Sequence, residues 1–162
     1  MIQAAPSQQS EGQYVRANGA DIYYVEAGQG DPLLLLHGGF VSTSPVWAGV
    51  PVAYVSHLAT FAEHFRVIAP DTRGHGRTVN PGGGSIPYTQ LADDIMALIA
   101  ALGLEQPLIC GFSDGATTAT IVGIRNPDAV RAIVNAMVMV TAAISASDPA
   151  LMPSSAAPAV RD

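Results

Sequence analysis

Leu108-Ile109-Cys110-Gly111-Phe112-Ser113-Asp114-Gly115-Ala116 is the most informative stretch of this 162-residue chain. A short apolar run ends in the pattern Gly-x-Ser-x-Gly, and Ala116 to Arg125 then reads as a helix closed near Asn126-Pro127. Glycine two positions before and two positions after a serine lets a strand turn into a helix without collision between the two segments. Such a turn lifts Ser113 above the carboxyl edge of a sheet, where the N-terminus of the next helix favours developing negative charge. Ser113 is the candidate nucleophile. The bland alternative is a glycine-rich turn with an idle serine, and the agreement of strand, turn and helix weighs against it.

Working outward, the same alternation recurs. Tyr14–Ala17 and Asp21–Glu26 flank Asn18-Gly19, which predicts a hairpin. Leu33 to Leu36 is continuously apolar, as a parallel strand covered on both faces should be, and it stops at His37-Gly38-Gly39. Arg66 to Ala69, closed by Pro70, predicts another buried strand, with a helical crossover between Trp47 and Phe65. From Tyr88, Leu91, Ile95, Leu98 and Leu102 follow helical spacing, Asp93 and Asp94 lie towards the dipole-favoured N-terminal end, and Gly103 is placed to stop the helix. Ala132 to Val140 predicts a sixth strand. Strands alternating with helices call for a mostly parallel α/β sheet of about six strands with helices on both faces, in a single domain over residues 1–162. Residues 1–13 read as a flexible leader, and 142–162 as the start of a cap region or a tail.

Composition narrows the function classes. Hydrophobic residues make up 49% and charged residues 12%, which excludes a disordered chain. Thirteen acidic against seven basic residues leave a net charge of −6 and no basic run, so neither nucleic acid nor an anionic membrane is an expected partner. No apolar run reaches the roughly 18–20 residues of a membrane-spanning helix. A lone cysteine, Cys110, is expected to be a buried strand residue, and a reducing, cytoplasmic setting is expected. His57 and His64 make a poor metal site without a carboxylate at ligand spacing, and Gly82-Gly83-Gly84 lacks the Lys-Ser/Thr of a phosphate-binding loop. No metal and no cofactor is expected, and the expected partner is a small-molecule substrate. Ala132–Val140 carries no charge to guard a sheet edge, which predicts self-association through an uncovered sixth strand.

Together, His37-Gly38-Gly39, Asp71-Thr72-Arg73-Gly74-His75-Gly76 and Gly111-Phe112-Ser113-Asp114-Gly115 resemble the N-terminal half of an α/β-hydrolase over about Tyr14 to Ala143. The Ser-Asp-Gly elbow is similar to that of the valacyclovir hydrolase-like esterases. The resemblance implies a serine hydrolase that forms an acyl-serine intermediate on a small ester, with an amide, a lactone or a carbon–carbon bond as the alternatives. It implies an oxyanion hole made of backbone amides, with Asp114 as one donor and Gly39 as the other, Phe40 being the fallback. It also implies a structural turn at Asp71–Gly76, with no catalytic role for Asp71, Arg73 or His75. A serine at the nucleophile position points away from the haloalkane dehalogenases and epoxide hydrolases that share the flanking motifs.

The family's triad acid and histidine follow the serine, after two further strands. Here His37, His57, His64 and His75 all precede Ser113, and the later acids Asp114, Asp128, Asp148 and Asp162 are expected at solvated positions. His37 is accordingly read as a loop-packing residue. The 162-residue chain is expected to lack the triad acid and histidine. The alternatives left open are a non-catalytic fragment or binding remnant, and cofactor-free haloperoxidase or perhydrolase chemistry on the same elbow.

Overall fold

The computed structural model describes residues 12–39 and 54–138. At its start, Asn18 and Gly19 both take positive φ, 44° and 75°, as a type I′ hairpin turn requires. They join β1 (Gln13–Ala17) to β2 (Ala20–Ala27) in antiparallel register, so β1 takes in the last residue of the expected leader. Residues 1–11 of that leader, and the expected cap or tail at 142–162, lie outside the described residues.

β3 (Pro32–Leu36) pairs in parallel with β4 (Arg66–Pro70) on one side and with β5 (Leu108–Ser113) on the other. β6 (Ala132–Val138) extends the sheet beside β5, giving the order β1-β2-β4-β3-β5-β6. Helix α1 (Tyr54–Ala62) lies between β3 and β4 in the chain, α2 (Tyr88–Ala101) between β4 and β5, and α3 (Asp114–Arg125) between β5 and β6. The continuous leucine run of β3 divides between the two faces, as the two-residue period of a strand dictates. Leu34 and Leu36 join Ile68, Ile109, Ile95 and Leu98 in a core under α2 and α3. Leu33 and Leu35 join Val67 and Ala69 in a second core, against which Leu58 and Phe61 of α1 pack. Helices cover both faces, as the sequence requires of such a run.

Gly103 stops α2 through a Schellman motif: at φ 60° its N–H donates to the Ala100 carbonyl, and the Leu104 N–H to the Ile99 carbonyl. Asp94 departs from its expected role at the helix start. It is buried in the second turn of α2, and its two oxygens accept from Arg73 Nε and Nη2, both at 2.7 Å. Arg73 is 8% and Asp94 3% exposed, so both charges are out of water and each depends on the other. Arg73 Nη2 also reaches the Asn18 carbonyl at 2.8 Å, and Asn18 Nδ2 donates to Asp94 at 2.7 Å. One ion pair thus ties the hairpin, the Asp71–Gly76 turn and α2 together. Cys110 is only partly buried, at the margin of the second core, where desolvation pushes its thiol pKa up.

Candidate active site

The chain steps from β3 to β4 in one direction along the sheet and later to β5 on the opposite side of β3. That reversal makes a topological switch point at the carboxyl ends of β3 and β5, the usual place for a ligand in open α/β sheets. Both motifs singled out from sequence end there.

Ser113 closes β5 and opens α3 with φ 53° and ψ −115°. A non-glycine residue in this region carries strain of about 1–3 kcal/mol, tolerated only where the surroundings enforce it. They do so through the two glycines. A Cβ on Gly111 would lie 2.5 Å from the Gly115 carbonyl oxygen and 2.7 Å from Ala116 Cα. One on Gly115 would strike the Leu36 carbonyl and come within 2.7 Å of the His37 oxygen. The ladder to β6 slips between Phe112 and Ser113, where the chain leaves the strand. Serine at an N-cap commonly spends its hydroxyl on a backbone amide of the first turn, but Ser113 makes no such bond. Its hydroxyl is not spent on capping, while the Asp114 amide is one of the N–H groups that a helix start leaves without an intrahelical acceptor.

The loop after β3 runs against this turn. A Cβ on Gly38 would stand 3.1 Å from Ser113 Cβ and 3.3 Å from Phe112 Cδ1, and one on Gly39 would meet the Asp114 carboxylate. Ser113, Gly39 and Asp114 are therefore brought together, and Phe40 lies outside the described residues.

His37 is buried and fully engaged. Nδ1 lies 2.6 Å from the Gly38 carbonyl, while Nε2 accepts from the Thr72 N–H at 3.0 Å and lies 3.2 Å from the Thr72 hydroxyl. Burial holds its pKa below the ordinary histidine value, with the nearby His75 acting in the same direction and the Gly38 bond, Asp71 and Asp114 opposing it. These bonds fix the ring between the loop after β3 and the turn after β4. His75 packs edge-on to His37, its Nδ1 lying 3.2 Å from the Thr72 hydroxyl and 3.1 Å from the Arg73 carbonyl. His64 is exposed beyond α1, and the His57 side chain lies outside the described ones. The Asp71–Gly76 turn is locked from within, the Asp71 carboxylate accepting the Arg77 N–H at 2.8 Å.

Asp114 corrects an expectation. It is half-buried rather than solvated, because the Tyr88 hydroxyl at the start of α2 donates to its carboxylate at 2.7 Å. The carboxylate as acceptor, then burial and charge, push the Tyr88 pKa up to about 12. Tyr88 and Asp114 are 26 residues apart, and no local spacing could have paired them. Gly83 and Gly84 form an exposed turn held by Asn80 Nδ2, not an anion cradle. Among the described residues no group of three His, Cys, Asp or Glu side chains could hold a metal, and no helix is long and apolar enough to cross a membrane. An open depression of about 590 Å³, lined by Asp31, Leu104, Glu105 and Arg131 among others, lies at the amino ends of the strands, away from Ser113.

Comparison with known proteins agrees with this geometry. The family model described as "alpha/beta hydrolase fold" matches residues 31–160. An epoxide hydrolase of Caballeronia sordidicola is 33% identical over 121 residues, covering 74% of this chain and 34% of its own length. A 2-hydroxymuconate semialdehyde hydrolase of Pseudomonas putida is 32% identical over 131 residues, covering 80% and 44%. Among solved structures, the epoxide hydrolase VrEH1 of Vigna radiata superposes with a TM-score of 0.70 at 28% identity, over 81% of this chain and 41% of that one. Est816, described as an N-acyl homoserine lactone degrading enzyme, gives 0.61 at 29% identity, over 76% and 44%. The chain thus spans between a third and a half of the length of the relatives it matches.

Proposed function

The chain belongs to the α/β-hydrolase fold family, and from that premise we propose that it carries the nucleophile and oxyanion half of a serine hydrolase acting on carbonyl substrates, a small ester or lactone first and an amide less readily. Ser113 attacks the carbonyl carbon, and the Asp114 and Gly39 amides receive the oxygen as it gathers charge. Collapse of the tetrahedral adduct breaks the bond to the leaving alcohol, which departs with a proton, and the acyl group stays on Ser113 as an ester until water releases it as the acid and restores the hydroxyl. The observation that carries this is Ser113 itself, strained at φ 53° on a strand-helix junction with its hydroxyl unspent on capping.

The names of the relatives divide among carbonyl, epoxide and haloalkane chemistry, and the serine at the elbow favours the first. A serine oxygen that opened an epoxide would leave an alkyl ether on Ser113, which water does not cleave under mild conditions. An acyl ester turns over. Relatives named for a semialdehyde hydrolase and a lactone-degrading enzyme are compatible with the carbonyl assignment. His37 cannot serve as the base, since one ring nitrogen faces a carbonyl and the other accepts the Thr72 amide.

General-base help is worth about 10²- to 10⁴-fold, so in the 162-residue chain acyl transfer to Ser113 should be slow but selective. The chain contains no lysine, which removes the commonest background nucleophile. Peptide mapping after prolonged exposure to a fluorophosphonate or p-nitrophenyl acetate should find the adduct concentrated on Ser113 and absent in Ser113→Ala. Adducts spread evenly over the serines, or unchanged in Ser113→Ala, would overturn the assignment.

A further inference from the structure

His37, Thr72 and Gly38 form a hydrogen-bond chain that the acyl-transfer steps leave unused. The Thr72 backbone N–H, 3.0 Å from His37 Nε2, can only donate, so Nε2 carries no proton. The proton of the neutral imidazole is therefore on Nδ1, which lies 2.6 Å from the Gly38 carbonyl oxygen, a group that can only accept. Two independent contacts thus select one tautomer. The Gly38 carbonyl and the Gly39 N–H belong to the same planar peptide unit, so whatever orients one orients the other. Glycines at 38 and 39 leave that peptide without side chains to hold it, and a Cβ at either position would run into the elbow.

We propose that His37 is a positioning residue for the oxyanion hole: the Thr72 amide holds it as the Nδ1–H tautomer, and in that form it pins the Gly38–Gly39 peptide and aims the Gly39 N–H at the reacting oxygen. The proposal rests on Gly39 being an oxyanion donor. A hydrogen bond to the Gly38 carbonyl also polarises the peptide and strengthens its N–H as a donor. Protonation would break the arrangement from the other end. With a proton on Nε2, that atom and the Thr72 N–H would face each other as two donors, and the ring would have to tilt. The titratable groups around His37 are His75 in the turn after β4, Asp71 at its start and Asp114 at the head of α3.

The test uses the 162-residue chain labelled with ¹⁵N. Long-range proton–nitrogen spectra should find His37 as the Nδ1–H tautomer at pH 7, and the Gly39 amide signal should move with the same midpoint as the His37 ring on acidification. His37→Asn, which keeps an N–H donor near the Nδ1 position and cannot titrate, should hold the Gly39 signal and remove its pH dependence. An arylboronic acid, which forms a tetrahedral adduct on the serine, should bind about tenfold more weakly to His37→Phe, a tilted donor losing part of the 10²- to 10³-fold an oxyanion contact supplies. Binding should be restored in His37→Asn and abolished in Ser113→Ala. The Nε2–H tautomer, or a Gly39 amide indifferent to His37 protonation, overturns the positioning role whether or not the boronate binds. Correct tautomer and coupling with no boronate on Ser113 overturn the oxyanion reading beneath it.

Discussion

Replacing Gly115 with alanine tests the close approach on which the elbow depends. In a helix interior the change should help, by about 1 kcal/mol of propensity. Here the new Cβ would strike the Leu36 carbonyl and stand 2.6 Å from its carbon and 2.7 Å from the His37 oxygen, all of them backbone atoms that no rotamer change can move. Ordinary contact for such atoms is about 3.5 Å, so β3 and α3 must separate by at least roughly 0.9 Å. Overpacking of this kind costs about 1–3 kcal/mol or more, and the absence of a flexible partner puts this site at the upper end. The net expectation is a loss of about 2 kcal/mol, which lowers a urea midpoint by about 1 M. Gly123→Ala, in the same helix, is the control. Its Cβ would meet the terminal methyl of Ile133 at 2.6 Å, and that methyl can rotate away. Gly123→Ala should therefore be close to neutral or mildly stabilising. Urea unfolding followed by circular dichroism compares the two, and a Gly115→Ala midpoint equal to or above that of Gly123→Ala would refute the reasoning.

Three further outcomes are expected. Asp94→Ala strands the buried Arg73 cation and should cost about 3–5 kcal/mol, whereas removing both charges in Arg73→Met with Asp94→Leu should recover most of it; denaturant titration of the three variants checks this. The Tyr88 hydroxyl has its pKa raised to about 12 from 10, so the stability it contributes is complete below pH 10 and disappears as pH rises through about 12. Ultraviolet titration should lose its phenolate step near pH 12 in Tyr88→Phe, and retention of that step would reassign the shift to another tyrosine. Among the described residues β6 pairs only with β5 and leaves Val134 62% exposed, so light scattering should show association that grows with concentration and weakens in Val134→Lys. A monodisperse monomer over a wide concentration range would count against it.

Most of the elements were legible because their signals are local. Asn18-Gly19 demands a turn wherever it lies, the leucines of β3 demand cover on both faces, and Gly103 ends a helix by its own φ. The side-chain pairs were not legible. Arg73 and Asp94 are 21 residues apart, Tyr88 and Asp114 are 26, and His37 and Thr72 are 35. One signal was available for the first pair. Asp94 is three residues after Leu91 and four before Leu98, on the apolar stripe of α2, and a carboxylate there requires a buried cation. Its place beside Asp93 near the helix start suggested the dipole instead. Asp114 was assigned to solvent because nothing in its neighbourhood along the chain revealed the Tyr88 hydroxyl.

By itself, the sequence determined the alternation of strands and helices, the strand-serine-helix junction and the two glycines that junction needs, since each follows from backbone geometry over a few residues. Only the tertiary structure decided which strand lies beside which, and with that the reversal of order around β3 that brings Gly38 against Ser113 and Gly39 against Asp114. It also decided the His37 tautomer, the burial of Arg73 with Asp94 and the partner of Asp114. Those depend on which polar groups are left facing one another once apolar faces have been buried, and hydrogen bonds and ion pairs reach only a few ångströms. Separation along the chain carries no information about that distance.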